Sequence, residues 1–160
     1  MSPKRVVGIL GGMGPAATVY FYQRIINQTN ASKDQDHIPV LIYSNTQIPD
    51  RMTCILSEDF EEIEASFIES VKAIEKGGAE CLSIPCNTAH YFSDLIEKHL
   101  SIPFFHLVKE TATVLSEAKH KTVGLLGTTG TVKTRLYHDP LEEAGITCLT
   151  PTDALQEEVQ

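Results

Sequence analysis

The stretch that decides the fold is residues 6–15, which read VVGILGGMGP. A short apolar run rich in valine and isoleucine ends in glycines, and Pro15 suits the first turn of a following helix. Units of this kind, a short apolar strand and then helical spacing, recur along the rest of the chain. Their repetition predicts parallel βαβ units with right-handed crossovers. We therefore expect an α/β fold, with a parallel sheet that carries helices on both faces.

Apolar runs and helix-spaced residues divide the chain into predicted elements. The predicted strands are 6–10, 39–43, 81–84, 102–105, 122–126 and 146–149. Three of the predicted helices have clear bounds, at 15–27, 87–99 and 152–160. Another begins at Ser57-Glu58-Asp59 and ends at Lys76-Gly77-Gly78. Two more are a helix lined by Val108, Ala112 and Leu115 and a later helix that ends at Gly145. In the first helix, helical spacing predicts one apolar face formed by Val19, Tyr22, Ile25 and Ile26.

The opening unit recurs later in the chain. Residues 7–14, VGILGGMG, align with residues 123–130, VGLLGTTG, at an offset of 123 − 7 = 116 positions, and five of these eight residues are identical. This similarity predicts two homologous halves, although apolar strands that end in glycine also resemble one another by chance. We expect an N-terminal α/β domain over residues 1–105 and the incomplete start of a second α/β domain over 106–160.

Composition and charge exclude several classes of protein. The 160 residues include 13 basic and 21 acidic side chains, a net charge of −8, so a nucleic-acid-binding surface is not expected. No apolar run approaches the roughly 18 residues of a membrane span, and Val6–Leu10 is too short for the apolar region of a secretion signal. The four cysteines lack disulfide or zinc spacing. We expect a cytoplasmic protein with reduced thiols, no metal and no membrane partner.

The segment PCNTAH, residues 85–90, carries most of the predicted chemistry. Cys86 follows the third predicted strand at the start of a helix, where backbone amides and the helix dipole favour a thiolate. Asn87 and Thr88 offer side chains that hydrogen-bond a carboxylate. His90, one turn further on, is either a base that activates the thiol or a surface residue of the helix.

The remaining thiols fit a structural role better than a chemical one. Free cysteines are commonly buried and inert. Cys81 and Cys148 lie within predicted strands, and Cys54 lies outside any strand-end motif. Cys86 is therefore the candidate reactive thiol.

Three other loops follow strands at the edge where parallel sheets bind ligands. Residues 11–15, GGMGP, do not give the dinucleotide pattern G-x-G-x-x-G and support anion binding only weakly. Residues 127–134, GTTGTVKT, resemble a phosphate-binding loop, but Val132 stands where that motif needs glycine, so we expect no nucleotide hydrolysis. Thr128 and Thr129 bind a carboxylate or simply cap a helix. Arg51 presents a fork suited to a carboxylate, or pairs with Asp50.

With these segments in place, the sequence resembles the aspartate/glutamate racemase family, which are cofactor-independent amino-acid racemases. The motifs that carry the resemblance are residues 11–18, 43–51, 85–90, 124–131 and 150–152. The resemblance implies two similar α/β domains that face each other across a cleft, each supplying one cysteine. One thiolate removes the substrate α-proton and the other thiol delivers a proton to the opposite face.

The same resemblance implies the site residues. Cys86 is the expected acid/base, and the residues expected around the substrate are Met13, Gln47, Arg51, Asn87, Thr88, Thr128 and Thr129. The expected substrate is a small acidic amino acid or dicarboxylate, with aspartate and glutamate left open. No cofactor is expected, and exposed strand edges suggest a homodimer.

The sequence departs from the family pattern at the second cysteine. That residue belongs to a Gly-Cys-Thr-Glu-like segment, and the internal offset places it near position 86 + 116 = 202, beyond Gln160. We therefore expect a truncated racemase that does not carry out two-base racemisation alone. The alternatives are a non-catalytic carboxylate-binding fragment and a single-cysteine relative with lyase- or isomerase-like activity.

Overall fold

The structure is a computed structural model that describes residues 5–159. The chain splits into two compact units, Met1–Phe105 and His106–Gln160. Gln160, the last residue of the predicted helix 152–160, lies outside the described residues.

The first unit is built on a parallel sheet of four strands in the order β2-β1-β3-β4. The strands are β1 (Val7–Gly11), β2 (Val40–Ser44), β3 (Cys81–Ser83) and β4 (Phe104–Phe105). The helices are α1 (Pro15–Gln28), α2 (Arg51–Ser57), α3 (Glu61–Lys76) and α4 (Ser93–His99), with 3-10 helices at Asp34–Asp36 and Thr88–Phe92. The predicted α/β class and parallel sheet are confirmed.

Helices cover both faces of this sheet. Ile9 and Leu10 are adjacent in β1, so their side chains point to opposite faces, and both are fully buried. Leu10 belongs to the core cluster that includes Phe67 of α3, and α1 also contacts β1. Such two-sided burial is typical of central strands in parallel sheets.

The helix α3 supplies most of the core. Its buried apolar side chains are Ile63, Phe67, Val71 and Ile74, whose spacing is the one that the sequence predicts for an inward face. Full burial of each such side chain stabilises the fold by about 1.5–3 kcal/mol. This packing holds the sheet against α3 and fixes the loops that leave its strands.

The predicted start of the second helix, at Ser57-Glu58-Asp59, is wrong. Residues 51–57 form the helix α2 instead of a loop, because the Asp50 carboxylate accepts a hydrogen bond from the Thr53 backbone N–H at 2.8 Å and caps it. Ser57 is therefore the last residue of α2, and Glu58 turns the chain with a left-handed φ of 55°. The long helix α3 begins only at Glu61.

The predicted inward face of the first helix is also wrong in part. Val19 is 70% exposed and Tyr22 38% exposed, whereas Thr18 is buried. Hydrogen bonds turn Thr18 towards the loop before the helix, and this rotation carries the neighbouring Val19 towards solvent. Ile25 and Ile26 remain half-buried.

The predicted continuous helix over residues 87–99 is also wrong. The structure has a 3-10 helix there, followed by α4.

The second unit contains two parallel strands, β5 (Thr122–Gly124) and β6 (Thr147–Leu149). Its helices are α5 (Leu107–Glu117), α6 (Thr129–Lys133), α7 (His138–Glu143) and α8 (Asp153–Val159). The core joins Ala112 of α5 to Leu141 and Ile146. Two short helices thus stand where the sequence predicts one, and both strands are shorter than predicted. Within residues 5–159, no helix combines the length and hydrophobicity that crossing a membrane requires.

Candidate active site

Three loops of the first unit meet at the carboxyl edge of its sheet. Gly11, at the end of β1, pairs with Ser44 of β2, and Ile9 pairs with Ser83 of β3. Because β2 and β3 flank β1, their ends lie two strand spacings apart, which is about 10 Å. The loops after β1, β2 and β3 therefore surround a space at the edge where open α/β sheets bind ligands.

The loop after β1 is held by Thr18. The Thr18 hydroxyl accepts a hydrogen bond from the Gly12 N–H and donates one to the Gly14 carbonyl, both at 3.0 Å. Gly12 has a φ of +94°, and a Cβ there would lie 2.4 Å from the Asn45 backbone. Only glycine fits this approach. Met13, at the tip of the loop, is half-buried and packs against the core.

Asn45 connects the loop after β2 to its surroundings. Its backbone N–H donates to the Gly11 carbonyl at 3.2 Å, and its side-chain amide donates to the Ser70 hydroxyl at 3.0 Å. The Asn45 side-chain oxygen accepts from the Gln47 N–H at 2.9 Å. Sequence reasoning missed this role. The available signal was Ser70, a polar residue on the apolar face of α3, where it is fully buried.

Gln47 and Arg51 lie on this same loop and at the start of α2. Gln47 is exposed. The Arg51 guanidinium donates to the carbonyls of Pro49 at 2.9 Å and Ile48 at 3.3 Å. Thus Arg51 is fixed by its own loop, and the Asp50 carboxylate caps α2. Hydrogen bonds, first from the Thr53 backbone N–H, hold the pKa of Asp50 below its ordinary value.

Cys86 lies in the loop after β3 and is half-buried. Its backbone N–H donates to the Ile84 carbonyl at 2.9 Å. The element that follows is a five-residue 3-10 helix and not the expected α-helix, so the dipole of a full α-helix does not act on this thiol. The helix α2 packs against this 3-10 helix, which brings the start of the Arg51 helix and the Cys86 segment to the same side of the unit. Asn87 is exposed and Thr88 is half-buried.

The other three cysteines are poorly suited to act as thiolate bases. Burial is the main cause that raises the pKa of the Cys54, Cys81 and Cys148 thiols above the ordinary value. A raised pKa disfavours the thiolate, which is the reactive form.

The alternative that His90 is a surface residue of the helix is wrong. Its side chain is 2% exposed, and its ring stacks on Phe104 with centroids 5.5 Å apart. The ring nitrogen Nδ1 lies 2.8 Å from the Cys86 carbonyl oxygen. Because a carbonyl oxygen only accepts, Nδ1 carries the proton and donates. His90 is thus a buried residue that contacts the Cys86 backbone.

Thr128 and Thr129 belong to the second unit. The Thr128 hydroxyl accepts a hydrogen bond from the Thr131 N–H at 3.4 Å and lies 3.1 Å from the Thr131 hydroxyl, so this side chain caps α6. Thr128 has a φ of −60°, whereas its counterpart Gly12 has +94°. The two loops of the sequence repeat therefore differ in conformation. The other expected substrate contacts belong to the first unit: Met13, Gln47 and Asn87 lie on loops that follow strands, and Arg51 and Thr88 are the first residues of the helices after two of these loops.

A metal centre is not apparent in the part of the chain that the structure describes. Across residues 5–159, histidine, cysteine, aspartate and glutamate side chains do not gather in groups of three or more that could hold an ion. The groups at the sheet edge are a thiol, a guanidinium, amides and hydroxyls. Groups of these kinds are able to hydrogen-bond a carboxylate and to transfer protons.

The sequence profile of the Asp/Glu/Hydantoin racemase family matches residues 10–160. The chain belongs to this family. It is 33% identical over 144 residues to the broad specificity amino-acid racemase RacX of Bacillus subtilis (strain 168), an alignment that covers 88% of this chain and 62% of RacX.

Two solved structures are similar to this chain over nearly its whole length. The aspartate racemase of Picrophilus torridus superposes with a TM-score of 0.85 at 32% identity, over 96% of this chain and 65% of that one. An aspartate racemase homologue from Pyrococcus horikoshii OT3 gives a TM-score of 0.81 at 28% identity, over 98% of this chain and 68% of that one. The chain thus spans less than two thirds of the length of RacX and of the Picrophilus enzyme.

Proposed function

We propose that this chain binds a small acidic amino acid and exchanges its α-proton at the Cys86 thiol without a cofactor. The observation that carries the proposal is the arrangement at the sheet edge. Cys86 follows β3, and the loops after β1 and β2 bring a glycine-rich backbone and Arg51 to that same edge. Family membership supports the choice of reaction, since RacX and the Picrophilus protein are named as amino-acid racemases.

The chemistry assigned to each group is simple. Arg51, Asn87 and Thr88 bind the substrate carboxylates through charge-assisted and neutral hydrogen bonds. The Cys86 thiolate takes the α-proton, and the negative charge that develops on the substrate is stabilised by the donors around it. The thiol then returns a proton to the same carbon. In heavy water, the proton returned is a deuteron after the thiol has exchanged with solvent.

Racemisation needs a second proton donor on the opposite face of the substrate. Cys54, Cys81 and Cys148 are poor candidates, because they lie within α2, β3 and β6 and not in a loop that follows a strand. We propose that residues 106–160 correspond to the start of a second α/β domain, as the sequence repeat suggests. Thr128 and Thr129 are then its contribution to substrate binding. For this chain alone, we expect exchange on one face to exceed interconversion of L- and D-aspartate.

The substrate class follows from charge. Arg51 is a fixed cation, held by the carbonyls of Ile48 and Pro49, and it favours a second carboxylate on the substrate. Aspartate and glutamate both satisfy this requirement. RacX is described as having broad specificity, so a panel of both acidic amino acids and alanine is the appropriate assay.

The test is incubation of the chain with L-aspartate in heavy water, followed by mass spectrometry of the α-position. The wild-type chain should incorporate deuterium, Cys86→Ser should not, and Cys148→Ser should match the wild type. Equal incorporation by wild type and Cys86→Ser would refute the role of Cys86.

A second candidate function is carboxylate binding without catalysis. It is favoured by the fact that Arg51, Asn87 and Thr88 need no thiol to hold a carboxylate. Calorimetry distinguishes the two: binding of L-aspartate without deuterium incorporation supports the binding function, whereas incorporation supports the enzyme. The single-cysteine lyase- or isomerase-like alternative predicts loss of aspartate to a new product in the same incubation.

Two further expectations concern the setting of the protein. The four cysteines are free, and thiol acid/base chemistry requires a reducing compartment, so we propose that the protein works in the cytoplasm. The edge strand β2 exposes Ile42 and Tyr43, which is consistent with the proposed homodimer. Analytical ultracentrifugation would measure that state directly.

A further inference from the structure

The backbone at Cys86 is held on both sides by hydrogen bonds within its own segment. The Cys86 N–H donates to the Ile84 carbonyl at 2.9 Å, and the Cys86 carbonyl accepts from His90 Nδ1 at 2.8 Å. The position of a thiol follows from its backbone and one side-chain torsion. Both polar groups of this residue's backbone are engaged, so rotation about that torsion is the main freedom left to the sulfur.

The side chain that makes the second bond is itself fixed. His90 is 2% exposed, and its ring is nearly parallel to the Phe104 ring, with an interplanar angle of 16°. Its own backbone N–H donates to the Asn87 carbonyl at 3.0 Å. The ring is therefore anchored by β4 on one side and by its own 3-10 helix on the other. The Nδ1–H group has a fixed direction, towards the carbonyl of the candidate reactive residue.

We propose that His90 is a positioning residue that holds the Cys86 peptide, and with it the thiol, in one orientation. The inference rests on the proposed function of Cys86, but it assigns no proton transfer to the imidazole. Nδ1 carries a proton that it donates to the backbone carbonyl, so this nitrogen does not accept a proton from the thiol. Loss of this donor would leave a partly buried carbonyl without its bond and release the peptide.

A purely structural role for His90 makes the opposite prediction for suitable variants. His90→Phe keeps an aromatic ring against Phe104 but has no donor. His90→Asn loses the ring but keeps an amide N–H close to the place of Nδ1. If His90 only fills the core, the phenylalanine variant should resemble the wild type and the asparagine variant should be the damaged one. If it positions Cys86, the thiol should react at the wild-type rate in the asparagine variant and at an altered rate in the phenylalanine variant.

The measurement is the rate of Cys86 alkylation by iodoacetamide across a range of pH, resolved by peptide mass spectrometry, together with the unfolding midpoint of each variant. This readout needs no substrate, so its outcome is independent of whether the chain exchanges the α-proton of aspartate. We expect the alkylation rate of Cys86 to differ from wild type more than about fivefold in His90→Phe and to stay within about twofold in His90→Asn. The rate at Cys148 in the second unit should not change in either variant.

A third variant distinguishes loss of the hydrogen bond to the Cys86 carbonyl from a general loss of folding. His90→Gln carries the same amide as asparagine one methylene further out, beyond the position of Nδ1. We expect it to show the altered alkylation of the phenylalanine variant, even though its chemistry matches that of asparagine. A wild-type rate and pH profile in both His90→Phe and His90→Gln would overturn the proposal, and so would an equal disturbance in all three variants.

Discussion

Substitution of Gly12 by alanine tests how the glycine loop and the Asn45 loop fit together. Gly12 has a φ of +94°, a region that costs an L-residue about 1–2 kcal/mol. An alanine Cβ would lie 2.4 Å from the carbonyl carbon and oxygen of Asn45. Relief of this clash requires Asn45 to move, because the neighbouring atoms are backbone and not the end of a flexible side chain.

The magnitude follows from the bonds that such a movement breaks. Asn45 donates through its backbone to Gly11 and through its side chain to Ser70, and each bond contributes about 0.5–1.5 kcal/mol. With the backbone strain, the expected loss for Gly12→Ala is about 2–5 kcal/mol. A small domain has about 5–15 kcal/mol in total, so the variant should fold but unfold at clearly lower denaturant.

The assay is urea unfolding followed by far-UV circular dichroism, since the chain has no tryptophan. Gly127→Ala is the matched control: Gly127 also follows a strand of the repeat, but a Cβ there would meet Thr131 at an ordinary 3.4 Å. The free energy of unfolding of Gly127→Ala should stay within about 1 kcal/mol of the wild-type value. If Gly12→Ala were as stable as Gly127→Ala, the close packing of the two loops would be refuted.

Three further predictions concern the free energy of unfolding of variants in the first unit, measured in urea. Thr18→Val should lower it by about 1–3 kcal/mol because valine leaves the Gly12 N–H and the Gly14 carbonyl without partners. Thr18→Ser should lower it less, and equal losses in the two variants would contradict the role of the hydroxyl. Asp50→Ala should lose about 1 kcal/mol of helix capping at neutral pH. Because hydrogen bonds lower the pKa of Asp50 in the folded state, this contribution is present above its unfolded pKa and should fade between about pH 5 and pH 2; a pH-independent difference from wild type would speak against it. Phe67→Ala should lose about 3–5 kcal/mol from the core and Phe67→Leu less, and a loss below about 1 kcal/mol for alanine would show that this core is misassigned.

The class of the fold was accessible from the sequence because local patterns determine it. The run VVGIL, residues 6–10, and the spacing of Ile63, Phe67, Val71 and Ile74 have the periods of a buried strand and an amphipathic helix. These patterns survive in the structure because the sheet and α3 bury them against each other. The common edge of the loops after β1, β2 and β3 also followed, since parallel strands end at the same edge, whereas the order β2-β1-β3 that makes them neighbours comes from the structure.

The errors arose where hydrogen bonds with specific geometry override pattern. Asp50 begins a helix that apolar periodicity does not show, and the bonds of the Thr18 hydroxyl rotate α1 so that Val19 faces solvent. The burial of His90 follows from its ring stacking on Phe104 and from the bond of Nδ1 to the Cys86 carbonyl, which no sequence spacing determines. Similarly, Gly12 and Thr128 align in the repeat, yet their opposite φ values give two different loops.

The central claim is that an acidic amino acid binds at the sheet edge beside Cys86, and ligand protection of that thiol tests it most directly. The wild-type chain is treated with iodoacetamide with and without saturating L-aspartate, and alkylation is followed separately at Cys86 and Cys148. The account predicts that L-aspartate slows alkylation of Cys86 at least about fivefold, that L-alanine does so much less, and that Cys148 is unaffected. Alkylation of Cys86 at the same rate with and without L-aspartate would contradict it.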